Sequence, residues 1–362
     1  MVYNFGAGPA MLPIPVMEKV REELLNFRGL GVSVIEASHR SKEFDDLLCE
    51  TDELFRELVR LPMSHKILYL HGGAQMQFSA VPMNLMGLKA AKKAVYCETG
   101  NFARLAAKEA EKYGTVRIGG SSAETNFDRI PDIRAEEIDA ETSYVHITSN
   151  NTVYGTRWNR FPDCGEVPLV ADATSEILSR SLDYSRFGLL FAGAQKNLGP
   201  SGLALVVVRE DLLGRQRPDT PKLLDYSLCA EKHSLTNTIN TFAVYMIREV
   251  LAWMKEEGGG VAEMERRNES KAELLYRIID RSDFYESHAR TEDRSVMNVT
   301  FHLPDRDNLL ALFLTEALEN GLYALKGHRS VGGARASIYN AMPLEGVRAL
   351  ADFMEEFERK RG

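Results

Sequence analysis

The chain holds only four cysteines in 362 residues, Cys49, Cys97, Cys164 and Cys229, and no CxxC pair. That argues against a zinc site or a disulfide framework, so no metal is expected, and it fits a reducing compartment. Positive charge is not in excess. With 52 acidic and 44 basic residues the net charge is −8, which offers nothing general to nucleic acid or an anionic membrane. No apolar run approaches the roughly 20 residues of a membrane span. The stretch Met1 to Pro9 lacks the basic and apolar regions of a secretory signal. The cytoplasm is the expected location. A dinucleotide fingerprint is also missing: the turn after the first buried strand reads Gly72-Gly73-Ala74-Gln75, not GxGxxG.

What is present is ordinary globular composition, 44% hydrophobic and 27% charged, at a length that suits one large domain and a smaller one. Strand patterns at 67–71, 94–97, 115–118, 144–148, 169–171, 189–192 and 203–208 are separated by helical stretches or long crossovers, including 74–86 and 102–113. Such alternation predicts an α/β fold on a largely parallel sheet. Further helices are expected at 16–26, 45–59 and 241–257. Gly258-Gly259-Gly260 marks the boundary between residues 1–257 and a compact α+β unit, 258–362. In that unit helices are expected at 261–279, 309–320 and 344–359, and strands at 296–303, 324–326 and 336–339. Ligands of parallel sheets bind beyond the carboxyl ends of the strands.

The unusual residues fall in those turns. Lys196 follows the apolar run Gly188–Ala192 and the small residues Gly193-Ala194. It is either a lysine snorkelling from a strand end or an amine desolvated to attack a carbonyl. Asp172 ends another apolar strand, where an acid caps a helix, binds a metal or faces a cationic heterocycle. Together the two suggest pyridoxal phosphate, which needs a lysine for its aldehyde and an acid at its ring nitrogen. Phe102 could stack on a flat ring or belong to the core. Thr152 could donate to a ligand oxygen or stabilise its turn. Gly72–Gln75 is an ordinary βα turn or, through free N–H groups at a helix start, a weak phosphate signal. Two basic clusters, His39-Arg40 and Lys326 to Arg335, are solvated loops or anion sites, and the Gly332-Gly333 pair favours a close-fitting loop.

Taken in order over the full length, these stretches resemble the phosphoserine aminotransferase family, fold-type I enzymes of class V that use pyridoxal phosphate. The most specific are Ala192-Gly193-Ala194-Gln195-Lys196-Asn197, Leu325-Lys326-Gly327-His328-Arg329 and Arg335 to Ala341. The resemblance implies a large domain with a mostly parallel seven-stranded sheet flanked by helices, and a smaller C-terminal α+β domain. It implies that Lys196 holds the cofactor as a Schiff base and shuttles the proton, with Asp172 at the pyridinium nitrogen. Phe102 would stack on the ring and Thr152 bond near its hydroxyl. Ala74, Gln75 and Gln195 would hold the cofactor phosphate, joined by Asn237 and Thr238 of a neighbouring subunit in a homodimer with shared sites. His39, Arg40, His328 and Arg329 would receive the substrate phosphate, and Arg335 the α-carboxylate. The implied reaction interconverts O-phospho-L-serine and 2-oxoglutarate with 3-phosphohydroxypyruvate and L-glutamate in serine biosynthesis. It leaves open the use of 4-phosphohydroxy-L-threonine in pyridoxine biosynthesis.

Three positions depart from the family pattern: Phe102 where many members have Trp, Gln75 where some have Arg, and Ile239-Asn240 in place of a Pro-Pro pair. An alanine–glyoxylate type relative would share Lys196 and Asp172 without needing two His-Arg pairs. A cysteine desulfurase would need a mobile cysteine, and none follows Cys229.

Overall fold

The computed structural model describes residues 2–362; Met1, the first residue of the expected N-terminal unit, lies outside them. From edge to edge, the main sheet orders its strands His65–His71, Leu203–Arg209, Leu189–Gly193, Leu169–Asp172, Thr142–Thr148, Lys93–Glu98 and Thr115–Ser121. Leu203–Arg209 runs antiparallel to both neighbours, and the other adjacent pairs are parallel. The reason is the short link from Gly193 to Leu203, which has no room for the crossover a parallel neighbour needs.

Side chains alternate across this sheet. Leu190, Ala192, Leu205 and Val207 join a core with the helices Lys42–Val59 and Thr241–Glu256. Leu189, Phe191, Val206 and Val208 face the opposite layer, built on the helix Gly73–Leu85. Both faces are thereby covered, so the strands read as continuous apolar runs rather than alternating ones.

A separate core forms around Val299, Phe301, Phe313, Leu350 and Phe357. Its antiparallel sheet comprises Glu286–Ser287, Asn298–His302 and Ala334–Ser337, and its helices are Gly260–Arg281, Leu309–Glu319 and Leu344–Arg361. The first residues of the chain belong to this core. Tyr3–Asn4 pairs in parallel with Leu322–Tyr323, and Phe5 is fully buried in the cluster.

Several boundaries differ from expectation, each for a local reason. The first helix is Ile14–Glu23, not 16–26, because Pro15 suits a first helical turn. The second begins at Lys42 because Ser41 accepts from the Phe44 N–H as its cap. Ala324 has φ +66° and cannot continue a strand, so the strand is Leu322–Tyr323, and of 324–326 only a single bridge, Lys326 to Ala334, remains. The last strand is Ala334–Ser337, because the ladder to Asn298–His302 ends at Ser337, beyond which only the Ile338 N–H still bonds across, to Met297 O. A short helix, Tyr226–Glu231, went unread.

Candidate active site

Register brings the turns together. Thr148 pairs with Asp172 and Asp172 with Phe191, so three parallel strands end level. The antiparallel pairing of His71 with Leu203 brings the Gly72–Gln75 turn to the same edge. A cleft of about 560 Å³ opens there, lined by Ala74, Gln75, Phe102, Thr152, Asp172, Gln195 and Lys196.

Lys196 is only 8% exposed. Burial lowers its pKa to about 8; Asp172 pulls in the opposite direction and Arg335 adds to the lowering. Its Nζ donates to Thr152 Oγ1 at 2.5 Å and lies 5.9 Å from the centre of the Phe102 ring. The amine is therefore neutral far more often than an ordinary lysine, as an attacking amine must be.

Asp172 is 4% exposed at the end of its strand. Its Oδ1 accepts from the Thr174 N–H at 3.0 Å and the Thr174 hydroxyl at 2.5 Å. The same hydroxyl accepts from the Gly193 N–H at 3.1 Å, so Thr174 ties the acid to the strand that leads to Lys196. Burial raises the Asp172 pKa, while the Thr174 bonds and Lys196 hold it down. Among the described residues no donor is bonded to Oδ2, which leaves one oxygen for a cationic N–H.

Thr152 is the pivot of the site. Its hydroxyl accepts from Lys196, and its carbonyl accepts from Arg335 Nη1 at 3.4 Å. Because Lys196 already donates to Oγ1, the hydroxyl hydrogen is free for a ligand oxygen. Arg335 lies in the strand Ala334–Ser337, half-buried, with Nε buried and unpartnered and its pKa lowered by burial. A guanidinium in that state is ready for a carboxylate. His328 is near enough to Arg335 and Arg329 that both, after burial, lower its pKa. Arg329 is exposed.

The helix Gly73–Leu85 has no side-chain cap, and Ala74 and Gln75 stand at its start in the cleft. Uncapped N–H groups there suit a phosphate. Gln195 Oε1 lies beside Gly193, where an added Cβ would come within 2.6 Å of it and 3.2 Å of the Ala74 nitrogen. A neutral-capable amine, an acid with a free oxygen, an aromatic face, a free hydroxyl and this cradle fit pyridoxal phosphate.

Not all the expected residues meet here. His39, Arg40, Asn237, Thr238, His328, Arg329 and Arg335 do not line the cleft itself; Arg335 reaches it through its bond to Thr152, with His328 beside it. Thr241 Oγ1 donates to Val34 O at 2.9 Å, so the His39-Arg40 and Asn237-Thr238 segments lie near the start of the helix Thr241–Glu256. Conversely, sequence reasoning missed Thr174, and it read an extended N-terminal arm over 6–15 without placing it over the lysine. Gly8 lies over Lys196, its Cβ position 3.6 Å from Lys196 Cγ, and the Ala10 N–H donates to Gln195 O at 2.9 Å. The pattern Asp-x-Thr at a strand end was the available signal for Thr174.

Comparison with known proteins yields consistent neighbours. The model of the class-V aminotransferases matches residues 2–350. A phosphoserine aminotransferase of Desulfatibacillum aliphaticivorans is 50% identical over 100% of this chain and 99% of its own. The solved phosphoserine aminotransferase of Bacillus circulans subsp. alkalophilus superposes with a TM-score of 0.95 at 42% identity, covering 100% and 99% of the two chains. A PLP-bound phosphoserine aminotransferase from Trichomonas vaginalis gives 0.92 at 35% identity, covering 98% and 100%.

Proposed function

The chain belongs to the class-V aminotransferase family, among the phosphoserine aminotransferases, and from that premise we propose that it interconverts O-phospho-L-serine and 2-oxoglutarate with 3-phosphohydroxypyruvate and L-glutamate. The observation that carries this reading is one cleft holding Lys196, Asp172 and Thr152, with Arg335 bonded to Thr152 and beside His328. Pyridoxal phosphate, when bound, supplies a conjugated cationic ring that accepts the electron pair left at the amino acid's α-carbon.

The chain's own residues do the rest. Lys196 Nζ would hold the cofactor through its aldehyde carbon and, as a free neutral amine, would carry the substrate's α-proton. Its lowered pKa favours both tasks, because each needs the neutral amine. Asp172 Oδ2 would keep a proton on the ring nitrogen through charge. Phe102 would cover the ring, the Thr152 hydroxyl would orient it, and the Ala74 and Gln75 N–H groups with Gln195 would hold the phosphate. Arg335 takes the α-carboxylate that every substrate carries. His328 and Arg329 receive the distal anion, which is the phosphate of O-phosphoserine or the far carboxylate of glutamate and 2-oxoglutarate.

Asn237 and Thr238 reach the cofactor phosphate of a second subunit in a homodimer with shared sites, and His39 and Arg40 join His328 and Arg329 in receiving the distal anion. The main-sheet unit within residues 1–257 binds the cofactor, and 258–362, joined by the arm Tyr3–Phe5, is the unit that brings Arg335. We place the enzyme in the cytoplasm and in serine biosynthesis. Among the described residues no helix is long and apolar enough to cross a membrane.

Titrating the cofactor-loaded protein with O-phosphoserine, glutamate and alanine, followed by its visible absorption, tests the reading. Bleaching by the first two but not by alanine is expected. Equal bleaching by alanine would overturn the substrate, and a chain that takes up no pyridoxal phosphate would overturn the cofactor. A fourth titration, with 4-phosphohydroxy-L-threonine, extends the test to the pyridoxine pathway.

A further inference from the structure

A polar chain leads away from the cleft and ends on the loop that carries His328. The Tyr154 hydroxyl donates to Asn101 Oδ1 at 2.7 Å. The Asn101 amide donates to Ser330 Oγ at 2.9 Å, and the Ser330 N–H donates to His328 Nδ1 at 3.2 Å. Asn101 opens the helix Asn101–Ala110, whose second residue is Phe102. Ser330 sits on the loop between His328 and Arg335.

That loop is a closed unit. The Gly327 N–H donates to Gly333 O at 3.0 Å, and the Val331 and Gly332 N–H groups both donate to His328 O. An added Cβ on Gly327 would lie 2.0 Å from Gly332 O, so the two limbs touch. The unit attaches to the large sheet's side at two points. Val331 packs with Phe102 against Phe127, Val153 and Tyr154, and Ser330 holds Asn101.

A backbone N–H can only donate, so His328 Nδ1 carries no proton in this arrangement and the ring hydrogen is at Nε2. The Asn101 amide does both, its oxygen accepting from Tyr154 and its nitrogen donating to Ser330.

We propose that Asn101 is a positioning residue for the substrate's distal anion: through Ser330 it latches the His328 loop to the helix that carries Phe102, so that His328 presents a neutral Nε2–H donor. The inference rests on the reading of His328 and Arg329 as the anion's receptors. Asn101 touches neither substrate nor cofactor, and its bond to Ser330 is exposed. The latch is therefore worth a few-fold in affinity and can open to admit substrate.

The test compares wild-type holoenzyme with Asn101→Ala, Ser330→Ala, the double variant and Ser330→Thr, each assayed for kcat and KM with O-phosphoserine. Each alanine variant should raise KM about three- to tenfold, the worth of one exposed hydrogen bond, with kcat within about twofold of wild type. The double variant should be no worse than the worse single, and Ser330→Thr, which keeps the hydroxyl, should restore wild-type behaviour. Effects that multiply, a fall in kcat at constant KM, or unchanged kinetics would overturn the latch. Should Asn101→Ala not fold, Ser330→Ala and Ser330→Thr carry the comparison, since position 330 is exposed. Wild-type protein without turnover of O-phosphoserine would overturn the functional reading beneath it, whereas normal turnover with indifferent variants would remove the latch alone.

Discussion

The floor and the rim of the cleft are built on opposite principles. On the floor, Lys196 and Asp172 are nearly inaccessible, stand at the ends of level strands, and are held by Thr152 and Thr174. Around the rim, Arg329 is exposed, and His328 and Arg335 are half-buried on a loop and a short strand. Burial at the floor changes what the groups are, because desolvation and close charges set their proton affinity. Exposure at the rim leaves the guanidinium groups charged at all working pH, and their value lies in where they point. A floor residue is thus expected to govern the chemical step, and a rim residue the choice of substrate.

The largest expected effect tests the floor. Lys196→Ala should abolish turnover with every substrate in a coupled assay; normal activity would end the assignment. Asp172→Asn comes next, with kcat lowered on the order of 10²–10³-fold, the scale of losing one fixed charge partner in a dry site. Its KM should change little, and a loss confined to KM would move Asp172 to the rim.

Rim substitutions should act on binding and should differ from one another. Arg335→Ala is expected to raise KM about 10- to 100-fold for O-phosphoserine and glutamate alike, since charge-assisted hydrogen bonds contribute about 1.5–3 kcal/mol. Arg329→Ala should weaken O-phosphoserine by a similar factor while sparing a neutral amino acid. Equal loss on both would erase the division between the two arginines.

The smallest effect is a titration. The neutral fraction of Lys196 grows as pH rises through about 8, well before the ordinary 10.5. The rate at which apoprotein captures pyridoxal phosphate, followed by absorbance, should therefore rise with a midpoint near 8. A midpoint near 10.5 would mean that the floor is wetter than its burial implies.

Much of the floor was legible in the sequence because a charge that ends an apolar run violates the pattern around it. Lys196 and Asp172 stand out for that reason, and the seven strands do so through their continuous hydrophobicity. Thr174 did not, because its role depends on the register that sets Asp172 beside Phe191. Caps and positive φ moved the boundaries: Ser41 advanced one helix, and Ala324 displaced a strand. The link from Asn101 to Ser330 joins residues 229 positions apart, a distance over which local pattern carries no information.

The arm that covers Lys196 has a consequence for the order in which the molecule is made. Tyr3 and Asn4 leave the ribosome long before their strand partners, Leu322 and Tyr323. Until those residues emerge, the opening segment has no ladder to join, and the main sheet, complete by Arg209, is already available to fold. Until then the arm over the lysine is tethered at one end only, by the Ala10 N–H on Gln195 O. Tyr3 and Asn4 are therefore among the last residues to be seated, and a chain stopped short of residue 322 holds its lysine under a cover fixed on one side.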